Sequence, residues 1–262
     1  MEPVYRPVIG AALTLFKVLG WQVRVTGSEH VPTVGPGVIA TNHIGYFDFV
    51  FVGYGVRPRG RLVRFLAKQE VFEHPVAGPM MRSMKHIPVD RFGRAQQALL
   101  DSVAALRRGE LLGMFPEGTI SRSFVPARGK PGAARMAMEA GAPLIPGAVW
   151  GSQRVLTKGR RRNFQRNVII TVDYGPPIAY APGDDPADVN KRLMATIESM
   201  VDRASRDYPQ QPAGPDDRWW LPAHLGGTAP TVEQTETMAA AESAERRERR
   251  RERRQGRPTG RS

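Results

Sequence analysis

Seven short apolar runs, four to seven residues each, recur along the chain with polar or helical stretches between them, and this spacing most constrains the fold. They fall at residues 23–27, 37–41, 62–67, 87–90, 111–115, 144–150 and 168–174, and each reads as a strand. Residues 94–108, 132–140 and 185–206 carry helical periodicity. Strands alternating with helices predict an α/β fold, a mostly parallel or mixed sheet flanked by helices on both faces. With 262 residues, 41% of them hydrophobic, the chain can bury one sizeable core. The domain is expected over 23–208, preceded by an N-terminal segment, 1–22, and followed by a tail, 209–262. Cysteine is absent, which excludes a disulfide framework, a thiolate metal site and a cysteine acyl-enzyme.

The most informative stretch follows the second strand. In Thr41-Asn42-His43-Ile44-Gly45-Tyr46-Phe47-Asp48, a histidine stands five positions before an aspartate. On a regular helix such residues point well apart, so they meet only if the chain turns between them, and Gly45 is the residue expected to supply the turn. A helix then opens near Tyr46 or Phe47. A neutral imidazole that hands one N–H to a carboxylate keeps its other nitrogen available for a hydroxyl proton. Taken alone, the segment fits equally a surface histidine beside a helix-capping aspartate.

A second loop carries related chemistry. The run 111–115 ends in Pro116-Glu117-Gly118-Thr119-Ile120-Ser121-Arg122-Ser123, where glycine permits close backbone approach and arginine offers a charged fork to an anion. The spacing of a nucleotide P-loop is missing, which leaves ATP chemistry unsupported. Lys68 and Arg91 each close an apolar stretch, which suits either a charge at a site's rim or a solvated surface cation.

In order, Asn42-His43 to Asp48, Ile87-Pro88-Val89-Asp90-Arg91, Phe115-Pro116-Glu117-Gly118-Thr119 and Ala142-Pro143-Leu144-Ile145-Pro146, with Lys68 interposed, resemble the glycerolipid acyltransferases, the lysophosphatidic acid acyltransferases and their relatives. The resemblance spans roughly residues 27–150. It implies a fatty acyl transfer from acyl-CoA or acyl carrier protein, used as co-substrate, to the free hydroxyl of lysophosphatidic acid, giving phosphatidic acid. His43 is then the general base and Asp48 its orienting partner. Glu117, Gly118 and Thr119 belong to the acceptor site, Lys68, Arg91 and Arg122 contact phosphate, and Pro146 ends a strand nearby. No metal and no cofactor is implied. The family commonly has arginine where Ile120 stands here, and along an extended chain Arg122, two residues on, would keep the same face. No serine lies in a Gly-x-Ser-x-Gly elbow, so direct attack by the acceptor hydroxyl is the simpler mechanism. Backbone N–H groups near Gly45 or Gly118 are the candidate oxyanion donors.

A net charge of +13 directs the protein to anionic surfaces. From Pro3 to Trp21 the chain is mostly apolar, with Arg6, Gly10, Thr14 and Lys17 on one helical stripe. This predicts a membrane-interfacial helix with Trp21 near the boundary, and an ordinary packing helix is the alternative. Gly159-Arg160-Arg161-Arg162 is a basic loop, a contact for anionic lipid or coenzyme A phosphates if not simply solvated. From Pro209 the composition turns polar, predicting disorder with a helix over 231–254, and Trp219-Trp220 interrupts as a pair that either docks onto the domain or dips into the membrane interface. Nine arginines against Glu248 and Glu252 in residues 246–262 leave +7, an arginine-rich arm that is either solvated or meant for a membrane surface rather than for nucleic acid, since stacking aromatics do not accompany it. The expected location is peripheral or monotopic on the cytoplasmic face of the cell membrane. Alternatives are another lysolipid or glycolipid acceptor, a non-catalytic basic scaffold, and a metal hydrolase built on His43, Asp48 and Glu117.

Overall fold

The computed structural model describes residues 5–75, 77–89, 95–160 and 164–255. Arg91, Arg161, Arg162 and residues 256–262 lie outside the described residues. In chain order the elements are α1 (Tyr5–Leu19), β1 (Gln22–Thr26), β2 (Gly37–Thr41), α2 (Asp48–Gly55), β3 (Val63–Lys68), α3 (Gln69–Glu73), α4 (Ala77–Ser83) and β4 (Ile87–Val89). They continue with α5 (Ala95–Arg107), β5 (Leu111–Met114), α6 (Gly132–Ala140), β6 (Leu144–Trp150), β7 (Ile169–Tyr174), α7 (Pro186–Arg206) and α8 (Val232–Gln255).

The strands form one seven-stranded sheet in the order β1-β7-β6-β2-β5-β3-β4. Only the β6–β7 ladder among those described is antiparallel; the others are parallel. Strand β2 is central and every one of its residues is buried. Its alternation splits the core: Val38 and Ala40 join Leu112, Leu144 and Trp150 under α5, α6 and α7. Ile39 joins Leu111, Ile145 and Val149 on the other face, beneath α1 and α2. A strand buried on both faces reads as a continuous apolar run, which is why these strands were visible in sequence.

Helix α7 starts where it does because Asp185 caps it, accepting from the Ala187 N–H at 2.8 Å, with Pro186 at the first helical position. Val189, Leu193, Ile197, Met200, Val201 and Ala204 then form its buried stripe.

At both ends of the chain the structure differs from the sequence expectation. Helix α1 packs through Phe16, which meets Phe51 at a ring separation of 5.3 Å, while Leu15 and Val18 stay exposed. Trp21 is buried rather than at a boundary, and its indole N–H donates to the Gln165 carbonyl at 2.7 Å. No helix among the described residues is long and apolar enough to cross a membrane. Beyond Pro209 the expected disorder gives way to two short 3-10 helices, Pro215–Trp220 and Ala223–Leu225. Trp220 drives this order: it is fully buried, edge-on to Tyr208, with the Arg154 guanidinium 4.4 Å from its ring centre. Trp219 packs partly against the core, and Arg160 lies over its ring at 4.6 Å.

Candidate active site

Strand β2 delivers the site. In a mostly parallel sheet, loops at the carboxyl ends of neighbouring strands converge, and ligands bind there. His43 follows the end of β2, the 115–127 loop follows β5, and Ser152 follows β6, with β5 and β6 being the two neighbours of β2. Asn42 extends the pairing past the end of β2. Its side chain accepts from the Val149 N–H at 2.8 Å and donates to the Val149 carbonyl at 3.0 Å, as a backbone residue would.

The chain then turns, and His43 meets Asp48. Imidazole Nδ1 lies 2.9 Å from Asp48 Oδ2. The same oxygen accepts the backbone N–H groups of Ile44 at 2.7 Å and Gly45 at 2.9 Å, and Oδ1 accepts from the Ser152 hydroxyl. Asp48 is thus the first residue of α2 but does not cap it. Its carboxylate, fully buried, reaches back to hold the turn. With donors on every side it is acceptor-only, so Nδ1 carries the imidazole proton and Nε2 keeps a lone pair. The ring plane is fixed by Phe115, stacked at 4.1 Å and 11°.

Gly45 is required for space rather than for a special backbone angle. A Cβ there would come within 3.0 Å of the Ser152 carbonyl and 3.1 Å of Asp48 Oδ1. Both proposed oxyanion donors are already engaged: the Gly45 N–H by Asp48, and the Gly118 N–H by the Phe115 carbonyl at 2.9 Å. These two N–H groups are therefore not the oxyanion donors, while the others near Gly45 and Gly118 stay candidates.

Glu117 ties the two loops together. One carboxylate oxygen accepts the backbone N–H of His43 at 2.8 Å and the other that of Ala127 at 2.9 Å. Burial pushes its carboxyl up to about 8; the N–H groups of Ala127 and His43 oppose the shift, and the negative charge of Asp48 adds to it. A carboxyl raised on folding favours the native state while protonated, so this contribution is lost as pH rises from the unfolded value through 8. Denaturant titrations at pH 5 and pH 8 will show the wild type less stable at the higher pH by up to a few kcal/mol, roughly 1.4 per pKa unit. Glu117→Gln leaves one backbone N–H facing an amide NH2, so it starts lower at pH 5, but its profile is flatter. An unchanged slope would show that Glu117 does not titrate there.

The remaining sequence candidates among the described residues occupy the same end of the sheet. Lys68 closes β3 opposite Val89 of β4, two residues before Arg91. Gly118, at φ 67°, closes the turn after Phe115, and Thr119 is exposed. The extended-chain argument for Arg122 does not apply, because the loop bends there: Ile120, Ser121 and Ser123 are all buried, and Phe124 has φ 60°. The bend carries Arg122 to Glu242 of α8, at 2.5 Å, and the same carboxylate holds Lys158 at 2.6 Å.

Sequence reasoning missed Phe115 as the stacking ring, Ser152 and Thr157. The Thr157 hydroxyl donates to the Ile44 carbonyl at 2.6 Å. A serine and a threonine just beyond β6 were the available signal.

The chain that carries this dyad has counterparts among known proteins. An acyltransferase family model matches residues 22–150, which include every element of the dyad loop and β5. A 1-acyl-sn-glycerol-3-phosphate acyltransferase of Bacillus subtilis (strain 168) is 30% identical over 195 residues, 73% of this chain and 91% of that protein. The chain belongs to the acyltransferase family. An enzyme of the same name from Limnanthes douglasii is 32% identical over 220 residues, 82% of this chain and 73% of its own. The crystal structure of the 1-acyl-sn-glycerophosphate acyltransferase PlsC from Thermotoga maritima superposes with a TM-score of 0.64 at 20% identity, covering 78% of this chain and 81% of that one. The acyltransferase fold and its seven-stranded sheet are therefore shared.

Proposed function

We propose that this acyltransferase moves a fatty acyl group from an acyl thioester, acyl-CoA or acyl carrier protein, to the free hydroxyl of 1-acyl-sn-glycerol 3-phosphate, giving phosphatidic acid. The observation that carries this reading is the His43–Asp48 pair, linked through Phe115 and Phe65 to an apolar cleft and through Ser121 and Thr157 to the loops that bear Arg122 and Lys158.

The cleft, with a cavity volume of about 80 Å³, lies between α1, α2 and β3. Val8, Ala12, Phe16, Val50, Gly53 and Phe65 are among its walls, an apolar lining that suits the start of an alkyl chain. Phe65 stacks on Phe115 at 6.0 Å and 15°, and Phe115 stacks on His43, so a chain lying in the cleft has its carbonyl end led toward the imidazole. On the other side Arg122 and Lys158 offer charge to an acceptor phosphate.

The acceptor hydroxyl gives its proton to His43 Nε2 as its oxygen attacks the thioester carbonyl. Asp48 balances the imidazolium that forms. The tetrahedral intermediate collapses with cleavage of the C–S bond, and the leaving thiolate takes the proton back from His43. Proximity does much of the remaining work, since the thioester is already activated. Lys68, Arg91, Glu117, Gly118 and Thr119 complete the acceptor side in this reading, Glu117 by holding the backbone of His43.

The exposed Leu15 and Val18 of α1 and the arginine-rich end of the chain suit a peripheral position on an anionic, cytoplasmic membrane surface.

Two comparisons test the assignment. With lysophosphatidic acid and lysophosphatidylcholine as acceptors, kcat/KM will favour the phosphate monoester by about 10 to 100-fold, the worth of one or two charge-assisted hydrogen bonds. Equal rates would show that the free monoester end of the phosphate is not recognised, since lysophosphatidylcholine keeps a phosphodiester. Gly53→Phe directs a ring into the cleft, where a Cβ has only Phe65 at 3.8 Å as a close neighbour. Each methylene excluded costs about 0.8 kcal/mol, so palmitoyl-CoA will lose at least tenfold in kcat/KM while octanoyl-CoA is retained. A parallel loss for both chains would show that the cleft does not hold the acyl group.

A further inference from the structure

Two of the site's cations, Arg122 and Lys158, are not waiting in solvent: a carboxylate from the far end of the chain sits on them. Glu242 of α8 places one oxygen 2.5 Å from Arg122 Nη2 and the other 2.6 Å from Lys158 Nζ. All three side chains are between 23% and 30% exposed, so the contact is partly shielded from solvent. The seat is joined directly to the catalytic turn. The N–H of Ser121, next to Arg122, donates to the His43 carbonyl at 2.7 Å, and the hydroxyl of Thr157, next to Lys158, donates to the Ile44 carbonyl at 2.6 Å.

The carboxylate does not satisfy the seat. Arg122 Nη1 faces only the Met238 sulfur, at 3.4 Å, and Arg122 Nε is buried with no hydrogen-bond partner among the described residues. The carboxylate gives one oxygen to each cation. A guanidinium fork with donors left over, paired with an ammonium, fits an anion with three terminal oxygens. The helix that brings the carboxylate is polarised. Residues 232–245 contain Glu233, Glu236, Glu242 and Glu245 and no lysine or arginine, whereas 246–255 hold seven arginines. Its acidic half is the half that lies against the basic seat.

We propose that Arg122 and Lys158 form the phosphate seat of the acceptor, and that Glu242 is its built-in occupant, a tethered competitor that the phosphate monoester displaces along with α8. Lys158 thereby becomes an acceptor-binding residue and α8 an autoinhibitory strap. The inference rests on the reading of the acceptor as a phosphate-bearing lipid. Its direct test nevertheless needs no acyl transfer.

Inorganic phosphate is titrated into the full-length protein by calorimetry, for wild type, Glu242→Gln and the double variant Glu242→Gln/Lys158→Ala. Hydrogen exchange across residues 232–245 is followed with and without phosphate. Removing the tethered carboxylate frees the competent state, so Glu242→Gln will bind phosphate about tenfold tighter or more, and the added Lys158→Ala will reverse that gain. In wild type, phosphate will speed exchange across 232–245. Equal affinity of wild type and Glu242→Gln, or exchange indifferent to phosphate, overturns the strap. An affinity gain that survives Lys158→Ala removes Lys158 from the seat and overturns the proposal as stated. Transfer to lysophosphatidic acid, measured separately on the same samples, distinguishes the two levels. If the phosphate results hold while transfer is absent, the acceptor assignment falls alone; if transfer proceeds with the phosphate results reversed, the strap falls alone.

Discussion

His43→Ala will lower kcat by about 10²- to 10⁴-fold, the usual contribution of a positioned general base, and leave the fold in place. The separation is expected because the backbone of residue 43 holds the site independently of its ring. Its N–H donates to Glu117, and its carbonyl accepts from Ser121. Asp48 keeps the N–H groups of Ile44 and Gly45 and the hydroxyl of Ser152. What is lost is the proton acceptor and the stack on Phe115. A melting temperature that fell as far as activity would mean the histidine is structural.

The second large effect concerns Asp48, where two substitutions separate charge from scaffolding. Asp48→Asn can turn its carbonyl oxygen toward Ile44, Gly45 and His43 and present its NH2 to Ser152, whose hydroxyl can accept instead. The hydrogen bonds persist but the negative charge does not, so the imidazolium formed in the reaction has no counter-ion. A loss in kcat of up to about 10⁴ is expected, the size seen when a histidine's buried carboxylate partner becomes an amide in a triad. Asp48→Ala removes the acceptor for two buried backbone N–H groups, each costing about 1–3 kcal/mol when orphaned, and the turn itself will loosen. Activity assays paired with denaturant midpoints check both. The account requires Asn to be stable and nearly inactive, and Ala to be both inactive and destabilised. An active Asn variant would show that the carboxylate charge is dispensable.

Much of this architecture was legible because a mostly parallel sheet demands strands buried on both faces, which leaves continuous apolar runs in the sequence. Strands β2 and β6 coincide with the predicted runs, and β1 ends one residue early for a visible reason. Gly27 takes φ 68°, and a Cβ there would run into the Tyr174 carbonyl. Phe115 leaves β5 for the loop, where it stacks on His43. The dyad was readable because its two members are close in sequence and flank a turn. Its supports were not: Ser152 reaches Asp48, and Thr157 reaches Ile44, across more than a hundred residues, and hydroxyl side chains beyond a strand carry no distinguishing pattern. The composition around Trp220 misled for the opposite reason. A polar, proline-rich context signals disorder by composition, yet one large side chain with a pocket beside Tyr208 and Arg154 is enough to order the segment around it. Glu242 was equally hidden, one acid among several on an exposed helix, until the fold brought it to Arg122 and Lys158.

The central claim is acyl transfer from a thioester to a phosphate-bearing lipid hydroxyl, driven by His43. Its most direct test follows free thiol and phosphatidic acid together, with palmitoyl-CoA and purified protein in detergent, with and without lysophosphatidic acid. The account predicts thiol release that depends on the acceptor, one phosphatidic acid formed for each thiol, and neither product from His43→Ala above background. Thiol release that ignores the acceptor, or that His43→Ala sustains at the wild-type rate, would contradict it.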